Sequence, residues 1–359
     1  MLNKVPISER RETSNYLFGS SVGILTILKG EDKMGKRLMA IVLVTLMFLA
    51  LITFTASAET ITLRAGHKSS AKSSWQLGAE YWAELLKEKT NGEIILEIYP
   101  NSELGDQKEM TELAQIGVLD IVLNAPATLG QFMTEITALD LPFLFRDYDH
   151  AFECMDTVVL DYYKQAYLDA GLVCLANWDT GFKMLSNSIR PINKAEDIAG
   201  LKIRYAGGQA LAATIQRLNA SAISIPWSET YVALSQGTAD AQFNPASTMV
   251  ESKIHEVQKY YASNLPIQYG AEPITMSLIS WNKLSPEHQT ALVETCQEAA
   301  YYQRDLSIKM DIEAQEVMKA EGCVINEVAP EELNKIREMT ASLLDEYCPP
   351  ELLEMIRSK

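Results

Sequence analysis

The stretch GLKIRYAGGQALAATIQRLNASAISI, residues 200–225, decides the fold. Leu201, Ile203 and Tyr205 alternate with Lys202, Arg204 and Ala206, the period of a half-buried strand. Two glycines interrupt at 207 and 208, helical spacing predicts a helix from about Gln209 to Leu218, and AISI (222–225) supplies a second strand. Strand, glycine turn, helix and strand make one βαβ unit. The unit holds one anomaly: Arg204 places a permanent charge in a segment otherwise built for burial.

Similar units lie on both sides. Upstream, ITLRAGH (61–67), a helix over Trp75–Lys87, EIILEIYP (93–100), a helix from about Asp106 to Ile116 and DIVLNA (120–125) alternate, then a helix over about 150–170 leads to VCLANW (173–178). Downstream come a short helix over 229–236, strands near 240–243 and at ITMSLIS (274–280), and helical spacing from Pro286 to about Lys319, roughly 50 Å at 1.5 Å per residue. A last helix spans about 329–347, with Pro330 in its first turn. The alternation predicts an α/β protein with a mostly parallel sheet, and the 359-residue length suits about two domains.

The N-terminus reads as an export signal. MGKR from Met34, an apolar block from Leu38 to about Thr55 and Ala56-Ser57-Ala58 are the basic, apolar and small-residue parts of a secretory signal peptide. The block is also long enough for an uncleaved anchor, but the Ala-Ser-Ala site directly at its end predicts cleavage after Ala58. Residues 1–33 then form an extension upstream of a start at Met34, and the mature chain is expected to begin at Glu59. The first 58 residues carry seven Lys or Arg and four Asp or Glu, leaving 24 basic against 43 acidic residues and a net charge of −19. Such acidity argues against nucleic acid or an anionic membrane surface as a partner. It also makes a positive charge inside a cleft conspicuous.

Cys154, Cys174, Cys296, Cys323 and Cys348 are odd in number, widely spaced and without a CxxC pair, so they do not read as a disulfide framework. Catalytic signatures are also missing: there is no HExxH, GxSxG or P-loop, and His67, His150, His255 and His288 lack metal-ligand spacing. Ser69 and Lys72 make an SxxK too short to carry weight, and AGGQALA lacks the GxGxxG of a dinucleotide loop. Neither an enzyme, a cofactor nor a metal is expected. An exported two-domain α/β chain with a buried arginine suits a solute receptor, because a guanidinium fork matches a carboxylate and stays charged when desolvated. The competing reading of Arg204, an internal ion pair with an Asp or Glu, is equally open on pattern alone.

Several words of the sequence resemble those of the DctP-type solute-binding proteins of tripartite ATP-independent periplasmic (TRAP) transporters. They are LRAGH (63–67), SELGDQKEM (102–110), LDLPFLFRD (139–147), GLKIRYA (200–206) and IPWSETYVALSQGTADAQFNP (225–245), in order along nearly the whole mature chain. The resemblance implies a two-lobed periplasmic-binding-protein fold with an interlobe cleft and a long helix spanning both lobes. Lobe I is expected over 59–180 and about 269–308, lobe II over about 181–268 and 309–335, with 336–359 as a helical segment packed on them. It implies that Arg204 binds a ligand carboxylate and that Asn244 hydrogen-bonds it. Lys183 takes the place of a second arginine, Trp227 covers the ligand, and His67 contacts it at the end of the first strand. Ala125 stands where some sugar-acid binders carry a glutamate, and with Trp178 near the cleft this leaves room for an apolar or aromatic acid. The implied partners are a small organic acid and the small and large TRAP membrane subunits, with the receptor a monomer in the periplasm. A ligand sensor for a signalling partner is the alternative.

Overall fold

The computed structural model describes residues 33–52 and 60–359. Residues 1–32 of the expected extension over 1–33, and the expected cleavage point after Ala58, lie outside them. The chain divides into two contact units, Met1–Ala58 and Glu59–Lys359. In the first, Lys33–Ile52 is a single helix on which Leu38, Ile41 and Leu43 are exposed. Among the described residues no helix is long and apolar enough to cross a membrane.

The second unit is built on one nine-stranded sheet. Its path is β2 (Ile94–Tyr99), β1 (Ile61–Gly66), β3 (Ile121–Leu123), β8 (Tyr260–Ser277), β4 (Leu172–Asn187), β7 (Ala241–Asn244), β5 (Lys202–Tyr205) and β6 (Ser221–Ser224), with β9 (Val324–Asn326) joined to β8. The expectation of a mostly parallel sheet holds at the two flanks, where β1–β2, β1–β3, β5–β6 and β5–β7 are parallel. It fails in the middle, where β3–β8, β4–β8 and β4–β7 are antiparallel. The reason is that β4 and β8 are far longer than their apolar ends suggest. Both continue through polar, proline and glycine positions and keep their pairing by shifting register at four places.

Helices cover the flanks. Ser74–Lys89 (α1) starts at Ser73, whose side chain accepts from the Gln76 amide, and Gln107–Gln115 (α2) starts in a reciprocal Asp106–Glu109 capping box. The expected single helix over 150–170 is two, Tyr148–Cys154 and Leu160–Asp169 (α3), joined by a π turn over Met155–Val159. Gln209–Arg217 (α4) closes the βαβ unit of the opening stretch, and its Gly208 entry has φ +88°, a conformation open mainly to glycine. Pro286–Ala320 (α5) runs 35 residues from a Ser285 cap, followed by Pro330–Thr340 (α6) and Pro350–Arg357 (α7).

The apolar side chains collect into separate cores rather than one. Leu63, Trp82, Ile94 and Ile274 pack with Leu292 and Cys296 of α5, while Leu185, Ile203, Ile215 and Phe243 form another core with Ile336 of α6. The far end of α5 enters a third core through Ala314 and Met318. Leu343, Leu352 and Ile356 of the C-terminal helices pack on a fourth, around Leu139, Leu141 and Tyr163. All five cysteines are free.

Candidate functional site

The centre of the sheet, between these cores, is where charge collects. On β7, Gln242 and Asn244 are two residues apart and share a face. Arg204 on β5 is the register partner of Gln242, and Met184 on β4 that of Asn244. On the other side of β4, Lys183 pairs with Gln268 of β8, and Glu272 follows four residues on along the same face. Arg204, Asn244, Lys183 and Glu272 all line one cavity of about 230 Å³, together with Trp227 and Gln268.

Arg204 sits at one end of that cavity. Its Nε donates to the Ile225 carbonyl at 2.9 Å, its guanidinium carbon lies 5.5 Å from the centre of the Trp227 ring, and its Nη2 is buried without a hydrogen-bond partner. Among the described residues no carboxylate forms an ion pair with it, so the internal-pair reading is not realised. Burial lowers its pKa to about 10, which leaves it charged at neutral pH. Asn244 is held by its Nδ2, which donates to Gln242 Oε1, and Gln242 Nε2 in turn donates to Ser186 Oγ at 2.9 Å. That chain presets the amide's orientation.

The opposite end is a cluster of four ionisable groups, Lys68, Lys183, Asp140 and Glu272. Lys183 Nζ lies 4.0 Å from Glu272 Oε1. Its stem passes over Gly270, where a Cβ would come within 2.8 Å of Lys183 Cε and 2.8 Å of the Gly181 carbonyl, so no other residue fits without displacing backbone. Neither oxygen of Glu272 accepts a hydrogen bond, although the side chain is 1% exposed. Burial outweighs the attraction of Lys68 and Lys183 and pushes its pKa up to about 8. Asp140 accepts from Gln268 Nε2 at 2.8 Å through Oδ1, while its Oδ2 is buried and unpartnered, and burial raises its pKa to about 6. Lys68 also lines the cavity, its Nζ 5.3 Å from the Trp75 ring, and burial lowers its pKa to about 8.

Of the residues singled out in the sequence, Arg204, Asn244, Lys183 and Trp227 meet here. His67 does not line the cavity. It is fully buried, its Nε2 is 2.9 Å from Gln76 Oε1, and burial lowers its pKa to about 4, so it is neutral. The alternation at the end of β1 turns position 67 inward and brings Lys68 to the cavity instead. Trp178 is likewise a core residue, fully buried with its Nε1 donating to the Cys296 carbonyl at 3.2 Å. Ala125 does line the cavity. Sequence reasoning missed Lys68, Asp140, Gln268 and Glu272, yet one signal was there: Glu272 is the single charged residue of the 18-residue β8. Among the described residues no three His, Cys, Asp or Glu side chains converge as metal ligands.

Comparison with known proteins fits this arrangement. A family model described as bacterial extracellular solute-binding protein, family 7 (DctP) matches residues 65–349. The 2,3-diketo-L-gulonate-binding periplasmic protein YiaO of Escherichia coli K12 is 34% identical over 252 residues, 70% of this chain and 76% of that protein. The C4-dicarboxylate-binding periplasmic protein DctP of Rhodobacter capsulatus is 29% identical over 309 residues, 86% of this chain and 92% of that one. The crystal structure of a TRAP periplasmic solute-binding protein from Polaromonas sp. JS666, bound to D-erythronate, superposes with a TM-score of 0.78 at 29% identity, covering 83% of this chain and 98% of that one. With its two parallel flanks joined through β4 and β8 and its charged central cavity, the chain belongs to the DctP family of TRAP solute-binding proteins.

Proposed function

We propose that this chain captures a small carboxylate-bearing organic acid outside the cytoplasmic membrane and delivers it to the small and large membrane subunits of a TRAP transporter. The observation that carries the reading is Arg204: a buried, charged guanidinium on a residue that lines the cavity, with an Nη2 that has no hydrogen-bond partner. A desolvated cation of this kind is stabilised by an anion that reaches it, and the fork suits a carboxylate. Asn244, already oriented by Gln242, completes the carboxylate's hydrogen bonds, Lys183 adds charge, and the Trp227 ring covers the non-polar part of the ligand.

In this reading the lobes are 59–180 with about 269–308, and about 181–268 with 309–335, and the C-terminal helices pack on them. The core of β1–β3 with the first half of α5, and that of β5 and β7 with α6, support such a division. β4 and β8 belong to both lobes, so they are the natural hinge. Closing the lobes excludes water and strengthens every charge-assisted bond in the cavity. The closed form is then populated by the ligand's higher affinity for it and presents the surface that the membrane subunits read. The apolar helix Lys33–Ile52 supports export by a signal segment, with cleavage after Ala58.

Calorimetry with a panel of organic acids tests the proposal. The wild-type protein is expected to bind at least one of them, and Arg204→Ala to weaken that binding by about 2–4 kcal/mol. Unchanged affinity in the variant would remove the carboxylate clamp.

A further inference from the structure

Behind Asn244 a line of polar side chains runs away from the cavity. Gln242, Ser186 and Gln258 are fully buried, and none of them lines the cavity. They are nonetheless hydrogen-bonded in series to Asn244, which does line it. Asn244 Nδ2 donates to Gln242 Oε1, Gln242 Nε2 to Ser186 Oγ at 2.9 Å, Ser186 Oγ to Gln258 Oε1 at 2.6 Å, and Gln258 Nε2 to the Asp240 carbonyl at 3.1 Å. The series starts on β7, crosses to β4, where Ser186 is the register partner of Gln242, passes through the segment ahead of β8 and ends on the residue before β7.

Its direction is decided at the far end. A backbone carbonyl can only accept, so Gln258 must turn its NH2 group to Asp240 and its Oε1 to Ser186. The Ser186 hydroxyl then gives its proton to Gln258 and has only lone pairs left for Gln242. Gln242 meets it with Nε2, which turns Oε1 to Asn244, and Asn244 answers with Nδ2. Reversing any link sets two donors or two acceptors against each other where no water can reach them. The Asp240 carbonyl is itself held in place, because it also accepts from the Ser188 amide at 2.9 Å just past the end of β4. With one N–H committed to Gln242, Asn244 keeps its other N–H and Oδ1 for a ligand, whereas the reversed amide would occupy Oδ1 and free both N–H groups. We infer that Gln258 is a positioning residue for ligand binding: through Ser186 and Gln242 it holds the Asn244 amide in the one orientation that the ligand meets. This rests on the ligand contact of Asn244 proposed above. An amide already held when the ligand arrives removes from the binding step the entropy of ordering it.

The test is a set of double-mutant cycles read by calorimetry on the exported protein, with whichever of lactate, succinate, gluconate and benzoate binds wild type most tightly. Asn244→Ala is expected to weaken that acid about tenfold or more, the loss of a hydrogen bond to a charged group. Gln258→Leu, which can neither donate nor accept, frees the Ser186 hydroxyl to turn and should weaken the same acid about three- to tenfold. Ser186→Ala breaks the series one link nearer the cavity and should give the same loss, and the two changes together no more than either alone. In the Asn244→Ala background, Gln258→Leu should change affinity by less than about twofold. A merely structural role would instead carry its effect on affinity into every background, and melting curves show that each variant is titrated in its folded form. Unchanged affinity in Gln258→Leu or in Ser186→Ala, or a Gln258→Leu loss that persists beside Asn244→Ala, overturns the inference and leaves the Asn244 contact standing. If Asn244→Ala binds as wild type does, or if none of the four acids binds wild type, the contact falls and the inference with it.

Discussion

Arg204 is charged, 6% exposed and without a carboxylate partner among the described residues. A residue kept for stability would be paired, since an unpaired buried charge costs free energy. Arg204→Met keeps most of the stem's packing and removes the charge. Its melting temperature without ligand is expected to equal or exceed that of wild type, while acid binding is lost. A destabilised Arg204→Met would instead assign the guanidinium a structural role. At this scale the sequence was informative where one charge broke an apolar alternation, as at Arg204. It misled where two adjacent polar residues compete for one site: His67 and Lys68 directly follow β1, and only the direction each side chain takes there decides which reaches the cavity. Trp178 misled for a related reason, because a large aromatic beside a cleft and one beneath it look alike in a sequence.

Elements were legible where apolar period and caps agreed. The βαβ unit of residues 200–225 and the 35-residue α5 lie within two residues of their expected bounds, because alternation, Gly208 and the Ser285–Pro286 start all point one way. β8 was read as a strand only near its end. Its first part, YYASNLPIQYGAEP, has no simple alternation because it changes neighbours along its length, running beside β9 and β4 and then beside β4 and β3. The expected helix over 150–170 was also a continuous pattern, and its π turn is set by a tertiary contact. Arg304 of α5, 1% exposed, donates to both oxygens of Asp156 in that turn, at 2.8 and 2.6 Å, and to the Asn177 carbonyl of β4 at 2.6 Å. One guanidinium thus ties helix, turn and strand together. Asp156→Ala leaves Arg304 buried and unpaired, and denaturant unfolding should show a loss of about 3 kcal/mol. A loss near zero would mean that water reaches Arg304 from the side where Asp156 is one-third exposed.

At the scale of the whole molecule, a strongly acidic chain encloses a cavity in which carboxyl groups are held against their preference. Asp140 titrates near 6 instead of 3.8 and Glu272 near 8 instead of 4.5, because burial disfavours their charged forms more than the nearby lysines favour them. The folded protein therefore keeps protons that the unfolded chain has released. Their stabilising contribution is complete below the unfolded values and is lost as pH rises through 6 and then 8. Asp179, raised to about 6, and Glu251, raised to about 7, act in the same direction. His67 opposes them only between about 4 and 6.5, and Lys68 only above about 8. The interval from pH 6.5 to 8 thus belongs mainly to Glu272, with a smaller share from Glu251. Without ligand, the wild-type melting temperature should fall across that interval, and Glu272→Gln, which cannot titrate, should fall less. Parallel curves for the two proteins would mean that Glu272 is already ionised at pH 6.5, held in that form by Lys68 and Lys183. The same titration links stability to binding: groups that resist ionisation in a cavity are those that donors from a ligand relieve, so the pH dependence of the wild-type melting temperature should weaken when the cavity is filled.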